Sequence, residues 1–333
     1  MNRKIKKAVI IHQGALGDLI NTAPAIQALK DNCELLIGIG SERLKLLEYC
    51  GIIDKALVSD AIGFHSLFNE NFAPSQNFRE IFSNADLAIS WLGRGSEIYR
   101  KNLKSLAKNI FIFQEQFPPT PGSEHITKIL AKPVIDAGIE IKNFLPRLNH
   151  PTKIEELGPG YQTLVHPGSG SLKKALPLAK LFELLDLLSE IFPSEKISII
   201  TGEVEKKMVF EIVKTCPEKL KPRVQLIQDL PLIKLAEMIA QAKIYIGMDS
   251  GPTHLASALG IPTIAIFGPT DPGVWAPPQK WVKVIATKYP CAPCTDNKRR
   301  ECEDAKCMEL INGMEIIKAI QSFKLEPGTE KPA

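Results

Sequence analysis

Short apolar runs alternate along the chain with amphipathic or turn-rich stretches, the pattern of buried parallel strands joined by helices. The clearest unit lies between Ile244 and Pro278. Ile244–Gly247 reads as a buried strand, and Met248-Asp249-Ser250-Gly251 breaks it. A short helix follows, with Ser250 as its N-cap, Pro252 where a missing N–H costs nothing, and Gly260 and Pro262 as its stop. Thr263–Phe267 is a second strand, closed by Gly268-Pro269-Thr270-Asp271-Pro272. Two parallel strands joined so tightly bring Asp249, Ser250, Gly251 and the Gly268–Asp271 turn to one carboxyl edge of a sheet, where open α/β sheets bind ligands.

The same rhythm starts the chain. Ala8–His12 predicts a first strand, Gly14-Ala15-Leu16-Gly17-Asp18 a turn into a helix carrying Leu19, Ile20, Ile26 and Leu29, and Leu35–Ile39 the next apolar run. Ala56–Val58, Leu87–Ser90 and Asn109–Phe113 predict further strands, Asn69–Asn77 and Phe117–Gly122 surface loops, and His125–Ala137 a helix broken at Pro133. Pro146–Gly160 has several Pro and Gly residues and little period, which marks an interdomain linker and gives domains 1–152 and 153–333. Beyond it, Thr163–His166, Lys196–Ile200 and Val224–Ile227 predict strands, and Pro177 opens a helix over Leu178–Ile191. Leu232, Leu235, Ile239 and Ala240 stripe another helix toward the core. The expected fold class is α/β, with two doubly wound parallel sheets.

Composition narrows the function classes. With 333 residues, 44% hydrophobic and 23% charged, the chain is an ordinary globular sequence with room for two cores. No apolar run approaches ~18 residues, and the basic start MNRKIKK precedes only Ala8–Ile11, too short for a signal-peptide core, so a cytoplasmic protein is expected. A net charge of +4 does not indicate a nucleic-acid binder. Arg3–Lys7, and Arg94 with Arg100, Lys101, Lys104 and Lys108, form local basic clusters that read as solvated faces or as contacts for an acidic acceptor or anionic lipid headgroups.

Several positions carry candidate chemistry. The helix start at Ser250-Gly251 offers unpaired N–H groups and a partial positive charge, which suits a phosphate, and His254 in its first turn can donate to a phosphate or a sugar hydroxyl. In Pro167-Gly168-Ser169-Gly170-Ser171-Leu172-Lys173-Lys174, small residues let the backbone approach a phosphate while a lysine neutralises it. It is not a P-loop, because no Ser or Thr follows the lysine. Asp18, at a helix N-terminus, is either simply stabilised by the dipole or, in a cleft, takes a proton from a substrate hydroxyl. Glu203 and Glu205 follow a strand end, as ribose ligands or solvated first-turn acids. Gly14–Gly17 and Glu42 leave a nicotinamide-dependent dehydrogenase open, although the turn is G-x-x-G rather than G-x-G-x-x-G.

Taken in order, HQGALGDLINTAPAIQAL, HPGSGSLKKALP and DSGPTHLASALGIPTIAIFGPTDP resemble the ADP-heptose lipopolysaccharide heptosyltransferases, glycosyltransferase family 9. The last motif is the most specific. The resemblance implies the GT-B architecture of two Rossmann-like domains facing a cleft, with the acceptor on the N-terminal side and the nucleotide sugar mainly on the C-terminal side. It implies inverting transfer of heptose from ADP-heptose to a lipopolysaccharide inner-core acceptor, with Asp18 as general base. Lys174, Ser169 and Gly170 would hold the donor phosphates, Asp249, Ser250, Gly251 and His254 the heptose and diphosphate, and Glu205, ahead of Glu203, the ribose. No Asp-x-Asp pair is present to carry a divalent ion, so the expected transfer is metal-independent and needs no cofactor beyond the donor substrate. The implied partners are the nucleotide sugar, a lipid-linked oligosaccharide and, transiently, the inner face of the inner membrane. A non-catalytic nucleotide-sugar-binding relative would keep the same binding residues. Leu176 stands where the family commonly has tryptophan, and His12-Gln13 replaces its usual basic residue.

Four of the seven cysteines are spaced Cys291-x2-Cys294-x7-Cys302-x4-Cys307, a pattern that suits a structural zinc, while Cys33, Cys50 and Cys216 are scattered and read as buried thiols.

Overall fold

The computed structural model describes residues 5–107, 109–149 and 163–323. Most of the linker Pro146–Gly160, the 152/153 boundary, Arg3, Lys4, Lys108 and the tail after residue 323 lie outside the described residues. The chain divides into two compact units. The first takes the described residues up to Phe117 and those from Ile126 to 149; the second takes Pro118–His125 and the described residues from 163 onward.

In the first unit β1 (Ile5–His12), β2 (Cys33–Gly40), β3 (Lys55–Val58), β4 (Leu87–Ser90) and β5 (Asn109–Ile112) form one sheet in the order β3-β2-β1-β4-β5. Every pairing is parallel. Ala8, Val9, Ile10 and Ile11 are fully buried, because a central strand of such a sheet is covered on both faces. β1 runs back past this apolar stretch to Ile5, since Asp86 Oδ2 accepts from the backbone N–H groups of Lys6 and Lys7 at 2.8 and 3.3 Å. Helix Ile126–Asp136 runs through Pro133 rather than breaking there. Pro133 is buried beside Leu130 and Val134, and packing of that apolar face offsets the hydrogen bond its ring cannot donate.

In the second unit β6 (Thr163–His166), β7 (Ile197–Thr201), β8 (Val224–Gln228), β9 (Ile244–Met248), β10 (Thr263–Phe267) and β11 (Val282–Ala286) are ordered β11-β10-β9-β6-β7-β8, again all parallel. The pattern reading misses β11, an edge strand whose outward Lys283 interrupts the apolar run. Helix Leu178–Ile191 lays Leu181, Leu184, Leu185 and Leu188 on the core formed with Ile199, Ile246 and Ile264. Each of those leucines is at most 1% exposed, and full burial of such a side chain contributes about 2 kcal/mol.

Both sheets reverse strand order beside their first strand. In the first unit the reversal lies between β1 and β4, and in the second between β6 and β9. The crevice at the carboxyl ends of such strands is where doubly wound sheets hold ligands. The motif residues sit at these two points.

Candidate functional site

At the second reversal, the register pairs Val165 with Ile246 and His166 with Gly247, so the loops leaving β6 and β9 emerge side by side. Asp249 ends β9 and is 7% exposed. Its Oδ2 accepts from Lys174 Nζ at 3.0 Å and from Thr270 Oγ1 at 2.7 Å. Its backbone carbonyl accepts from Ser169 Oγ and again from Lys174 Nζ, both at 3.1 Å. Three loops, after β6, β9 and β10, are thus tied to one residue. Burial alone would raise the Asp249 carboxyl, but Lys174, His254 and the Thr270 hydroxyl overcome it and hold the group below the usual carboxylate range.

His254 Nε2 lies 3.9 Å from Asp249 Oδ1. Burial lowers its pKa to about 4 against the opposing pull of Asp249, so the imidazole is neutral near pH 7. His166, at the end of β6, is likewise buried and depressed to about 4 by burial. Its Nδ1 is 3.3 Å from Ser250 Oγ, which is also 3.3 Å from Thr253 Oγ1. Ser250 occupies the N-cap position of helix Gly251–Ala258 but makes no side-chain cap hydrogen bond. This corrects the expected capping role: the hydroxyl is drawn into the buried chain with His166 and Thr253.

A cavity of about 200 Å³ opens beside these groups, lined by Ser169, Gly170, Thr201, Glu205, Ser250 and Gly251 among others. Glu205 is 7% exposed, and its Oε2 accepts from the N–H of Gly202 at 2.8 Å. Burial raises its pKa, against the pull of that amide. Glu203, the other candidate, is exposed and pairs with Lys206 at 3.2 Å. A Cβ on Gly168 would lie 2.3 Å from Glu205 Cγ and Oε1, so only glycine lets the loop pass this close to the carboxylate. Thr201 Oγ1 in the cavity wall is buried with no hydrogen-bond partner in the structure. The two motif lysines part company: Lys174 faces Asp249, whereas Lys173 Nζ donates to the carbonyls of Arg299 and Arg300 at 3.0 and 2.5 Å.

In the first unit, Asp18 lies in the first turn of helix Leu16–Asp31, half-buried, its Oδ2 accepting from Ala15 N–H at 3.2 Å. It lines a cavity of about 240 Å³ with His12, Gly14, Trp91, Arg94, Phe113 and Phe117 among others. His12 shapes this corner. Thr22 Oγ1 donates to the Asp18 carbonyl at 2.7 Å, so toward His12 Nε2, 3.2 Å away, it acts as acceptor. The ring proton therefore sits on Nε2, leaving Nδ1 to accept from Gly14 N–H at 3.3 Å. Burial keeps His12 neutral, with a pKa lowered to about 4. Glu42, the acid a dehydrogenase would use, is exposed and paired with Lys45 at 2.6 Å.

The sequence description "Glycosyltransferase family 9 (heptosyltransferase)" matches residues 168–304, the segment that supplies the Asp249 and Lys174 loops. Over this segment the chain is similar to glycosyltransferase family 9. The lipopolysaccharide heptosyltransferase 1 of Campylobacter coli is 27% identical over 285 residues, covering 84% of this chain and 75% of that protein. Among solved structures, the glycosyl transferase family 9 protein from Veillonella parvula DSM 2008 superposes with a TM-score of 0.74 at 18% identity, covering 98% of this chain and 99% of that one. The E. coli ADP-heptose lps heptosyltransferase II gives a TM-score of 0.72 at 14% identity, covering 95% and 98%. This glycosyltransferase therefore has the two parallel-sheet α/β domains of the GT-B class.

Among the described residues, no group of three or more His, Cys, Asp or Glu is placed to hold a metal ion. Cys291, Cys294, Cys302 and Cys307 do line one cavity, of about 340 Å³. Two of the thiols donate to backbone, Cys294 Sγ to the Cys291 carbonyl at 3.3 Å and Cys307 Sγ to the Ala305 carbonyl at 3.7 Å, while Cys302 Sγ accepts from Ala305 N–H at 3.4 Å. Burial, and then the neighbouring thiols, push Cys307 up to about 11 and raise Cys294. Cys294 and Cys307 therefore stay protonated near pH 7.

His166 and Trp91 were not singled out as site residues from sequence, Thr270 entered only within the Gly268–Asp271 turn, and Arg94 only within a basic cluster. A signal was present for each, since each follows or ends a strand that meets a reversal point or its neighbour. Only the sheet order shows which strand ends converge.

Proposed function

We propose that this glycosyltransferase moves heptose from ADP-heptose to a hydroxyl of a lipopolysaccharide inner-core acceptor, with inversion and without a divalent ion. The observation that carries the reading is Asp249, bound to Lys174, Ser169 and Thr270 at the β6/β9 reversal beside a cavity walled by Glu205. In this reading the Lys174 ammonium and the amides at Gly170 and Gly251 meet the diphosphate charge that grows as the anomeric C–O bond breaks. Ser169 and Ser250 add hydrogen bonds to those phosphates, and Glu205 accepts from the ribose hydroxyls. Neutral His254 donates to a sugar hydroxyl or phosphate oxygen without adding a charge to the pocket. With no Asp-x-Asp pair in the chain, the leaving diphosphate is stabilised by the protein's own cation and dipoles.

Asp18 is the general base: as the acceptor oxygen attacks the anomeric carbon, its proton passes to the carboxylate, and ADP departs from the opposite face. The His12–Gly14–Ala15 turn, whose Ala15 N–H is hydrogen-bonded to Asp18 Oδ2, supports this carboxylate. The likeness to lipopolysaccharide heptosyltransferase 1 of Campylobacter coli supports the choice of donor and acceptor. Such an acceptor is lipid-linked, so the enzyme works at the cytoplasmic face of the inner membrane through transient contact; no helix among the described residues is long and apolar enough to cross a bilayer. The test is incubation with ADP-heptose and a panel of truncated core acceptors, with products weighed by mass spectrometry. One added heptose, lost in Asp18→Asn while ADP still binds, is the expected result; full turnover in Asp18→Asn removes the base from this role.

A further inference from the structure

Helix Lys206–Thr215, between β7 and β8 of the second unit, presents an unusual outer face. Phe210 is 64% exposed and Val213 62%, and Val204 just before the helix is 61% exposed. At 3.6 residues per turn, Lys206, Phe210, Val213 and Lys214 share one stripe, with Lys207 at its margin. All three lysines are exposed, and Lys214 Nζ lies 5.9 Å from the centre of the Phe210 ring. The opposite face is the ordinary one: Ile212 is buried, and Met208 packs on the core of the unit. Packing within the unit therefore accounts for Ile212 and Met208, and leaves Phe210 and Val213 unexplained.

The charge pattern selects the occupant. Glu203 is paired with Lys206, Glu211 is half-buried at the edge, and Lys207 and Lys214 carry the net charge of the face. A second copy meeting this face through a two-fold axis would set the lysines against themselves. An anionic bilayer surface matches it, because a short helix lying in the interface buries aromatic and aliphatic side chains at the acyl boundary while flanking lysines reach the headgroups. We propose that Val204, Phe210 and Val213, flanked by Lys206, Lys207 and Lys214, dock this chain on anionic membrane. The proposal names the surface for the transient contact that a lipid-linked acceptor requires, and to that extent rests on the functional reading above.

The test is co-sedimentation of the full chain with vesicles of phosphatidylcholine alone, or of phosphatidylcholine mixed with phosphatidylglycerol. Binding is expected only with phosphatidylglycerol, and to fall with added salt. Lys207→Glu/Lys214→Glu is expected to weaken it at least about thirtyfold, and Phe210→Ser/Val213→Ser about tenfold or more. Leu310→Ser/Met314→Ser, at another exposed apolar pair, should change nothing. Unchanged melting temperatures show that the variants are folded. Equal binding to both vesicle types, no binding, or helix variants that bind like the parent overturn the proposal, as does a dimer in solution that the Phe210→Ser/Val213→Ser variant splits. Thermal shift by ADP on the same samples separates the two readings. A shift without vesicle binding removes the surface and keeps the donor site, whereas vesicle binding without a shift does the reverse.

Discussion

Lys174 Nζ stands 3.0 Å from Asp249 Oδ2, and this ion pair closes the second unit's strand reversal. The carboxylate is 8% exposed and the lysine side chain 20%, so water screens the pair only partly. Removing the ammonium alone leaves Asp249 buried with an uncompensated charge. Lys174→Met is expected to lower stability by about 2–4 kcal/mol, below the full cost of a wholly buried pair because the lysine retains some water. Lys174→Met/Asp249→Asn should recover much of that loss, because the amide can still accept from Thr270 and no longer needs a cation. Urea unfolding of the single and double variants measures the difference.

Gly168 and Glu205 give a second coupled pair. A methyl at position 168 would sit 2.3 Å from the Glu205 side chain, which is held on its far side by Gly202 N–H. Gly168→Ala therefore has to expel the carboxylate from the cavity wall. ADP affinity is expected to fall about tenfold, the loss of the hydrogen bond proposed between the ribose and this charged acceptor. Gly168→Ala/Glu205→Ala should bind ADP no more weakly than Glu205→Ala alone, since the clash has then lost its partner. Calorimetric titration with ADP checks both.

Strands buried on both faces are legible from an apolar run alone, as at Ala8–Ile11, Thr163–His166, Ile244–Gly247 and Thr263–Phe267, and short apolar runs also mark the edge strands β3, β5 and β8. Edge strand β11 is missed because Lys283 interrupts its apolar residues. The residues of the Pro167–Lys174 loop alone leave Lys173 and Lys174 equivalent, and only the resemblance picks Lys174. Its contact with Asp249 goes with the carbonyls of Arg299 and Arg300 capturing Lys173 from 126 and 127 residues away. The loop Pro118–His125 reads as part of the first domain, yet Gly122 N–H donates to Asp271 Oδ2 at 2.7 Å and His125 Nε2 lies 2.9 Å from the Ala276 carbonyl, which ties it to the second unit. Local pattern carries no information on partners this distant. Pro133 shows the same limit in reverse, a helix breaker carried through by the burial of its neighbours.

At Gly14 the expected effect is on rate rather than on donor binding. A Cβ there would lie 2.8 Å from His12 Cε1 and 3.0 Å from Asp18 Cβ. The His12 ring is fixed at both nitrogens, so the turn itself must shift away from it and, through the Ala15 N–H bond to Oδ2, disturb Asp18. Gly14→Ala is expected to cost about 1–3 kcal/mol of stability from overpacking. Transfer should slow at least about tenfold through displacement of the proposed base, with ADP affinity unchanged because the proposed donor ligands belong to the other unit. Steady-state kinetics beside an ADP titration separate the two effects.

Acid should unfold the second unit before the first. His12, His166 and His254 each have a folded pKa lowered to about 4, against about 6.5 in an unfolded chain. The folded state thus binds fewer protons, and its stability is full above pH 6.5 and falls as pH drops from there toward 4. At pH 5 each histidine has removed about 2 kcal/mol. His166 and His254 lie in the second unit and His12 in the first, so from the histidines the second loses about twice as much, offset in part by Glu205, whose raised pKa favours the folded state as pH falls. The Asp249 carboxyl, held below its ordinary value, adds a further loss only below about pH 4, where the unfolded chain takes up the proton that the folded one still refuses. Urea unfolding at pH 7 and pH 5 is expected to show two transitions drawing apart at the lower pH. His166→Gln, which cannot take up a proton, should halve the pH dependence of the second-unit transition while leaving the first-unit one in place. If that variant keeps the parent's pH dependence in both transitions, the buried histidines are not the source of the acid lability.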